Sequence, residues 1–363
     1  MNGKITVNNP RIAVIGGGVN GLCCAWQLSQ KGAEVTVFEG GELMKATSSS
    51  SSKLLHGGVR YLENLEIRLV YEALHERAWW LENCPDLTRE LHMLLPVYKD
   101  GPRPRWLIKV GLSIYDLLAG RKNLSSHQWI TLDEMREISP NLKQDGLLGG
   151  FRYSDGQMDD YQLGLWVAQQ ARMSGATLVE NYTIDKINTN GNIWHKGEKL
   201  DYDFVVNAAG PWAQQLLERS NIMGKTKLDI VRGSHILFKG EPSQSYLLQT
   251  DSDHRVFFVL PYQGKTLVGT TEIRQKINDP IQITDSEIEY LLYQYNQYFN
   301  EKRTEADIIE TISGLRPLIK SDVSVNRLSR EYVLEQQHKL LTIYGGKWTT
   351  ARSLGKKVAN QLL

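Results

Sequence analysis

Apolar residues follow two different rhythms along this chain. Ile12-Ala13-Val14-Ile15 is an unbroken apolar run, which predicts a strand buried on both faces, as in a parallel sheet. Leu22 to Lys31 has helical spacing closed by Gly32, and Glu34-Val35-Thr36-Val37-Phe38 is a second apolar strand ending at Glu39. Helical spacing returns over Leu65–Leu81. Residues 91–98 predict a strand, and 107–118 an apolar helix with Leu107, Val110, Gly111, Ile114, Leu117 and Leu118 on one stripe. Gly149–Tyr153 has strand character, Asp155-Gly156-Gln157 predicts a turn, and Asp159-Asp160 are placed to cap a helix over Tyr161–Ser174. Short strands follow at Thr177–Glu180, Thr183–Asn188, Asn192–His195 and Phe204–Asn207, with Asn190-Gly191 as a hairpin turn. From Leu228 to Glu272 the pattern changes to alternation, with strands at Ile230–Leu237, Arg255–Leu260 and Thr266–Thr271. A Tyr-rich helix over Asp285–Asn300, strands at Thr311–Leu318 and Leu340–Tyr344, and a terminal helix complete the pattern. The prediction is an α/β nucleotide-binding fold interrupted by an α+β second domain of mostly antiparallel strands.

Composition narrows the function. With 41% apolar and 23% charged residues among 363, the chain matches a globular enzyme of two domains. Its net charge of +1 offers no global attraction for nucleic acid. No stretch reaches the length of a membrane span, no signal peptide is evident, and Cys23, Cys24 and Cys84 have no metal-ligand spacing. These thiols are expected to be reduced core residues, and the expected localisation is cytoplasmic. Arg103, Arg105, Trp106, Arg121 and Lys122 flank the apolar 107–118 helix. Such a helix suits a membrane surface; an ordinary packed helix with basic ends is the preferred expectation.

The candidate chemistry starts at the first turn. Gly16, Gly18 and Gly21 form Gly-x-Gly-x-x-Gly between a strand and a helix, and Glu39 closes the next strand. Glycines there allow a tight turn and close approach of a pyrophosphate, which meets the free N–H groups of the helix start. Glu39 is placed to accept hydrogen bonds from a ribose and to repel a 2′-phosphate. The turn alone leaves NAD and FAD equally open. The serine run Ser48–Ser52 reads as linker by composition, yet Lys53-Leu54-Leu55-His56-Gly57-Gly58-Val59-Arg60 follows at once. An ordered loop facing an anion fits better.

Several stretches together resemble the flavin-dependent glycerol-3-phosphate dehydrogenases, within the D-amino-acid-oxidase-like flavoenzymes. They are Ile15–Gly21, Ala46–Glu63, Tyr153–Asp160, Asn207–Trp212, Gly233–His235, Gly269–Thr271, Gly314–Pro317 and Gly345–Thr350. The resemblance implies a Rossmann-like FAD-binding domain from residues 10–90, 150–225 and 336–363, and a substrate domain from 91–149 and 226–335. It also implies a helical C-terminal domain that this sequence does not contain. Tyr262 and Glu272 stand where the family often has tryptophan and aspartate, and Trp348 replaces a small aliphatic residue.

The resemblance further implies a cofactor set: Gly16, Gly18, Asn20, Gly21, Glu39, Thr47, Ser48, Ser52, Lys53, Leu55, His56, Gly57, Ala209, Gly210, Trp212, Gly314, Gly346, Lys347, Trp348 and Thr349. No metal is implied. Arg60, Tyr61, His235, Arg316 and Lys347 become substrate ligands, two guanidiniums and an ammonium suiting a phosphate. His235, Arg316 and Lys347 become catalytic. Imidazole titrates near working pH, so His235 is the expected base, with His56 as the alternative. The implied reaction oxidises sn-glycerol 3-phosphate to dihydroxyacetone phosphate, with electrons passing to a quinone or another acceptor. Peripheral contact with the cytoplasmic face of an inner membrane belongs to the same expectation. The alternatives are an oxidase of another small substrate, such as an amino acid, and an inactive flavin-binding homologue.

Overall fold

The computed structural model describes residues 9–250, 255–320 and 332–363. The expected 226–335 range therefore takes in residues 251–254 and 321–331, which lie outside the described residues. Eight α-helices are described: α1 (Val19–Gln30), α2 (Ile67–Asn83), α3 (Arg105–Ala119), α4 (Leu132–Ile138), α5 (Asp160–Met173), α6 (Ala213–Arg219), α7 (Asp285–Tyr298) and α8 (Ala351–Leu362).

Arg11–Ile15 lies centrally in a six-stranded sheet, between Phe204–Asn207 and Glu34–Phe38, both parallel to it. Leu340–Gly345 extends the sheet on one side and Thr177–Val179 on the other, again in parallel, and Tyr332–Gln337 adds an antiparallel edge. Ile12, Ala13 and Val14 are fully buried because helices and loops cover both faces of a parallel sheet. Helix α8 packs on α1 through small residues. A Cβ on Gly355 would stand 2.5 Å from the Cys23 carbonyl oxygen, so only glycine admits this approach. Cys23, Cys24 and Cys84 are free and buried, as expected.

The second sheet holds ten strands, with Leu228–Lys239, Lys265–Gly269, Val256–Tyr262, Ser245–Gln249, Thr88–Tyr98 and Leu147–Met158 neighbours in that order. Ile308–Ile319 pairs antiparallel with Leu228–Lys239. The mixed α/β architecture agrees with the sequence, and two local expectations do not. Asp155-Gly156-Gln157 is no turn: the strand runs on to Met158 and pairs with Leu54–Leu55 and Thr88–Tyr98. Its polar residues are answered inside the sheet, where Arg77 donates to Asp155 and Arg89 to Gln157.

Helix α3 is the second difference. Most of the stripe read as packed faces outward: Leu117 is 78% exposed and Leu107, Val110 and Ile114 are exposed, with Trp106 beside them at 66%, while Leu118 is half-buried against the core. The buried face is Ile108, Leu112, Tyr115 and Ala119. Helical periodicity picked out one apolar stripe, whereas the core covers a second apolar face of the same helix.

Candidate active site

The site grows from the glycine turn. Gly16 has φ +109°, and a Cβ there would meet the Ala208 carbonyl oxygen at 2.5 Å. The turn is thus clamped against the end of the neighbouring strand, and α1 begins at once behind it. Ser48 Oγ accepts from Val19 N at 3.0 Å, which orders the serine run. Glu39 accepts from Gly17 N at 2.6 Å and Gly41 N at 2.9 Å, so its carboxylate also braces the turn, a role the sequence did not suggest.

The serine loop is held from below by a buried ion pair. Lys53 Nζ lies 2.8 Å from Asp160 Oδ1 and donates to Ser49 O at 2.7 Å, while Ser51 Oγ donates to Asp160 Oδ2 at 2.7 Å. Tyr262, one of the departures noted in the sequence, presents its ring 5.2 Å from the Lys53 ammonium. Across the loop, Thr47 Oγ1 donates to Leu315 O, and Trp348 Nε1 donates to Ser48 O at 3.0 Å.

These elements enclose one cavity of about 790 Å³. Gly16, Gly18, Asn20, Glu39, Thr47, Ser48 and Ser52 line it from the first half of the chain. Ala209, Gly210, Trp212, Gly314, Gly346, Trp348 and Thr349 line it from the second. His56, Arg60, Tyr61, Arg316 and Lys347 share the same wall system. Lys347 Nζ sits 3.5 Å from the centroid of the Tyr61 ring, and Arg316 donates to Thr270 Oγ1 and lies 3.5 Å from Glu272. Arg255, 3.7 Å from the other oxygen of Glu272, extends this ion pair. Gly21, Lys53, Leu55, Gly57 and His235 stand behind the lining.

His235 is fully buried, with Nε2 3.0 Å from Ser52 Oγ and no partner for Nδ1 among the described residues. The expectation that its imidazole needs little shifting fails. Burial first, then the charges of Arg316 and Lys53, lower its pKa to about 3. The folded chain therefore keeps His235 neutral, while the unfolded chain protonates it near its ordinary value of about 6.5. As pH falls through that value only the unfolded state gains the proton, so this group costs stability at about 1.4 kcal/mol per pH unit down to the folded value. His235→Gln is expected to shallow the acid-side loss of stability by about one proton, read from urea midpoints between pH 7 and 4.5. Equal slopes would remove the claim.

Sequence reasoning also missed the support under Gly57. Gly57 N donates to Tyr115 Oη at 2.8 Å, Tyr115 donates to Asp155 Oδ1, and Arg77 Nη1 lies 2.9 Å from that carboxylate. Burial pushes the Asp155 carboxyl up, against the opposing pull of Arg77. Tyr182 lines the cavity beside Glu39 and stacks on His195 at 3.7 Å, giving that end a flat aromatic wall.

The lining fits an extended dinucleotide. Asn20 Oδ1 and Thr350 Oγ1 are buried with no partner among the described residues, at the glycine turn and the foot of α8 respectively. Asn20 lines the cavity and is positioned to answer a polar atom of a bound cofactor.

A family model described as "DAO: FAD dependent oxidoreductase" matches residues 11–361. The chain is 34% identical to the aerobic glycerol-3-phosphate dehydrogenase of Escherichia coli K12, over 97% of this chain and 73% of that one. It is 35% identical to the D-erythritol 1-phosphate dehydrogenase of Brucella abortus, over 96% of this chain and 72% of that one. The crystal structure of the Bacillus halodurans glycerol-3-phosphate dehydrogenase complexed with FAD superposes with a TM-score of 0.77 at 26% identity. That match covers 99% of this chain, which spans 65% of the longer one. The chain belongs to the DAO family of FAD-dependent oxidoreductases, and its cofactor is FAD.

Proposed function

We propose that this oxidoreductase oxidises the secondary alcohol of a small polyol phosphate, with sn-glycerol 3-phosphate as the substrate and dihydroxyacetone phosphate as the product. The observation that carries the proposal is the trio Arg60, Arg316 and Lys347 on one cavity wall system. Three cations suit a phosphate dianion, whereas an amino-acid carboxylate needs fewer. Names of relatives support the class, since the Escherichia coli and Brucella abortus dehydrogenases act on polyol phosphates by name.

FAD, when bound, supplies the hydride acceptor. The chain binds, orients and takes the proton. Ser52 reaches the cavity and His235 stands behind it at 3.0 Å, so the hydroxyl proton has a path through Ser52 to His235 Nε2. A phosphate beside Arg316 offsets the cationic repulsion on His235, which raises its proton affinity when substrate is present. His56 is the second reading, because it lines the cavity directly. If His235 is the acceptor, His235→Asn loses about 10²–10⁴ in kcat, the range of general-base catalysis, and His56→Asn loses much less. The reverse order assigns the role to His56.

The decisive experiment mixes the flavin-loaded protein anaerobically with glycerol 3-phosphate, D-erythritol 1-phosphate and glycine. Bleaching by glycerol 3-phosphate alone, or fastest with it, supports the proposal. Bleaching by glycine alone overturns the phosphate reading.

The acceptor belongs to the proposal as a quinone reached at a membrane surface. The exposed apolar face of α3, with Arg105, Lys109, Arg121 and Lys122 around it, supports peripheral contact with an anionic bilayer. No helix among the described residues is long and apolar enough to cross a membrane. The chain is expected to sediment with anionic vesicles and not with neutral ones. Lys109→Ala should weaken that binding by about 1 kcal/mol, and Leu117→Glu should abolish it.

A further inference from the structure

Five of the nine tryptophans form one connected cluster, and it begins at the cavity. Trp348 lines the cavity, and its ring centroid is 5.6 Å from that of Trp80, which is fully buried. Trp80 sits 5.1 Å from Trp79 and 6.3 Å from Trp166, both half-buried, and Trp26 closes the group at 6.0 and 5.7 Å from those two. The rings are tilted or edge-on throughout, the arrangement aromatic pairs prefer. Packing alone explains large side chains between α1, α2 and α5. It does not by itself account for one residue type running without a break from the cofactor wall to two partly exposed rings, since cores of the same total volume are built from mixed apolar side chains.

Indole gives up a single electron more readily than nearly any other side chain, and rings in van der Waals contact exchange an electron by hopping. We propose that Trp348, Trp80 and Trp166 form a hole relay that joins the cofactor wall to the surface and supports light-driven reduction of the bound FAD without substrate. The electrons balance at each hop. The photoexcited oxidised isoalloxazine takes one electron from Trp348, which takes one from Trp80, which takes one from Trp166. Each photon moves one electron in this way, so full reduction takes two turns of the relay: dithiothreitol in solution gives two electrons and two protons overall, which the flavin takes up, and closes to its cyclic disulfide.

The branch point has a built-in preference. The Arg352 guanidinium lies 3.8 Å from the centroid of Trp79 and is held there by Glu76. A cation over the face stabilises the neutral ring and opposes a positive hole on it. The hole on Trp80 is therefore directed to Trp166, and the Trp79 arm serves poorly as an exit. Trp80 is itself fixed, because its Nε1 donates to Thr349 O at 3.0 Å.

The test uses the flavin-loaded protein under blue light, without oxygen, with dithiothreitol as the thiol, and follows the flavin absorbance. The wild type is expected to bleach in the light and to stay oxidised in the dark. Trp80→Phe and Trp166→Phe should each lose the light-driven bleaching while retaining flavin, and Trp194→Phe, outside the cluster, should bleach as the wild type does. Because Trp80 is buried and its variant can fail to fold, the half-exposed Trp166 variant carries the test independently. Arg352→Gln is expected to open the Trp79 arm and restore part of the bleaching in a Trp166→Phe background. Bleaching at wild-type rate in both the Trp80 and Trp166 variants overturns the relay, as does an absence of light-driven bleaching in the wild type.

Discussion

Arg316→Ala is expected to raise the KM for the polyol phosphate by roughly 10²-fold or more while flavin content stays normal. The side chain lines the cavity and is aimed by two partners, Thr270 Oγ1 and the Glu272 carboxylate. Losing one partner of a desolvated charge pair costs about 2–5 kcal/mol, and each 1.4 kcal/mol is about tenfold in affinity. The prediction separates two roles for one residue. If Arg316 holds phosphate, substrate affinity collapses and the cofactor remains. If it holds the cofactor site together, flavin is lost on purification and the KM of the surviving holoenzyme barely moves. Arg316→Lys refines the outcome, because an ammonium keeps the charge but loses the paired N–H geometry, so it should recover only part of the affinity. Glu272→Gln offers a further check, since it frees Arg316 and Arg255 from one shared carboxylate without touching either guanidinium.

The sequence exposed the glycine-turn wall of the cavity, for a physical reason. A strand, a glycine turn, a helix and an acid must occur within about thirty residues for the motif to work, so its requirements are local. Ser48–Ser52 was legible as an ordered loop from the residues that follow it, but what orders it was not. By composition it is a linker, yet it is ordered by Asp160, Leu315 and Trp348, residues far along the chain that no local pattern connects to it. Asp155-Gly156-Gln157 misled for a related reason: turn-forming residues enter a strand when long-range partners such as Arg77 and Arg89 satisfy them. Helix α3 was legible as an element and illegible in orientation, since both of its faces carry apolar residues. His235 was legible as a candidate from the family resemblance, but its depth was not. Only the fold brings Arg316 and Lys53 close enough to oppose its protonation.

Asp160→Ala is expected to cost about 3–5 kcal/mol of stability, a large share of the roughly 5–15 kcal/mol that keeps a domain folded. Asp160 is fully buried and Lys53 is 3% exposed, so the surviving ammonium would remain in the interior without its counter-charge. Ser51 would lose the acceptor of both its N–H and its hydroxyl at the same time. The loop between Thr47 and Ser52 should then loosen, and flavin retention should fall together with the urea midpoint. Asp160→Asn keeps an acceptor for Ser51 but not the charge, so it is expected to lie close to the alanine variant. The paired change Lys53→Met with Asp160→Leu should recover much of the stability, because removing both charges leaves neither one buried alone. It should not recover flavin binding, since the Lys53 bond to Ser49 O and the Asp160 bonds to Ser51 are gone. An alanine variant within about 1 kcal/mol of the wild type would show that water or a rotated Lys53 relieves the charge. Recovery of flavin in the double variant would show that the serine loop is ordered from the cavity side, by Trp348 and Val19, and not from beneath.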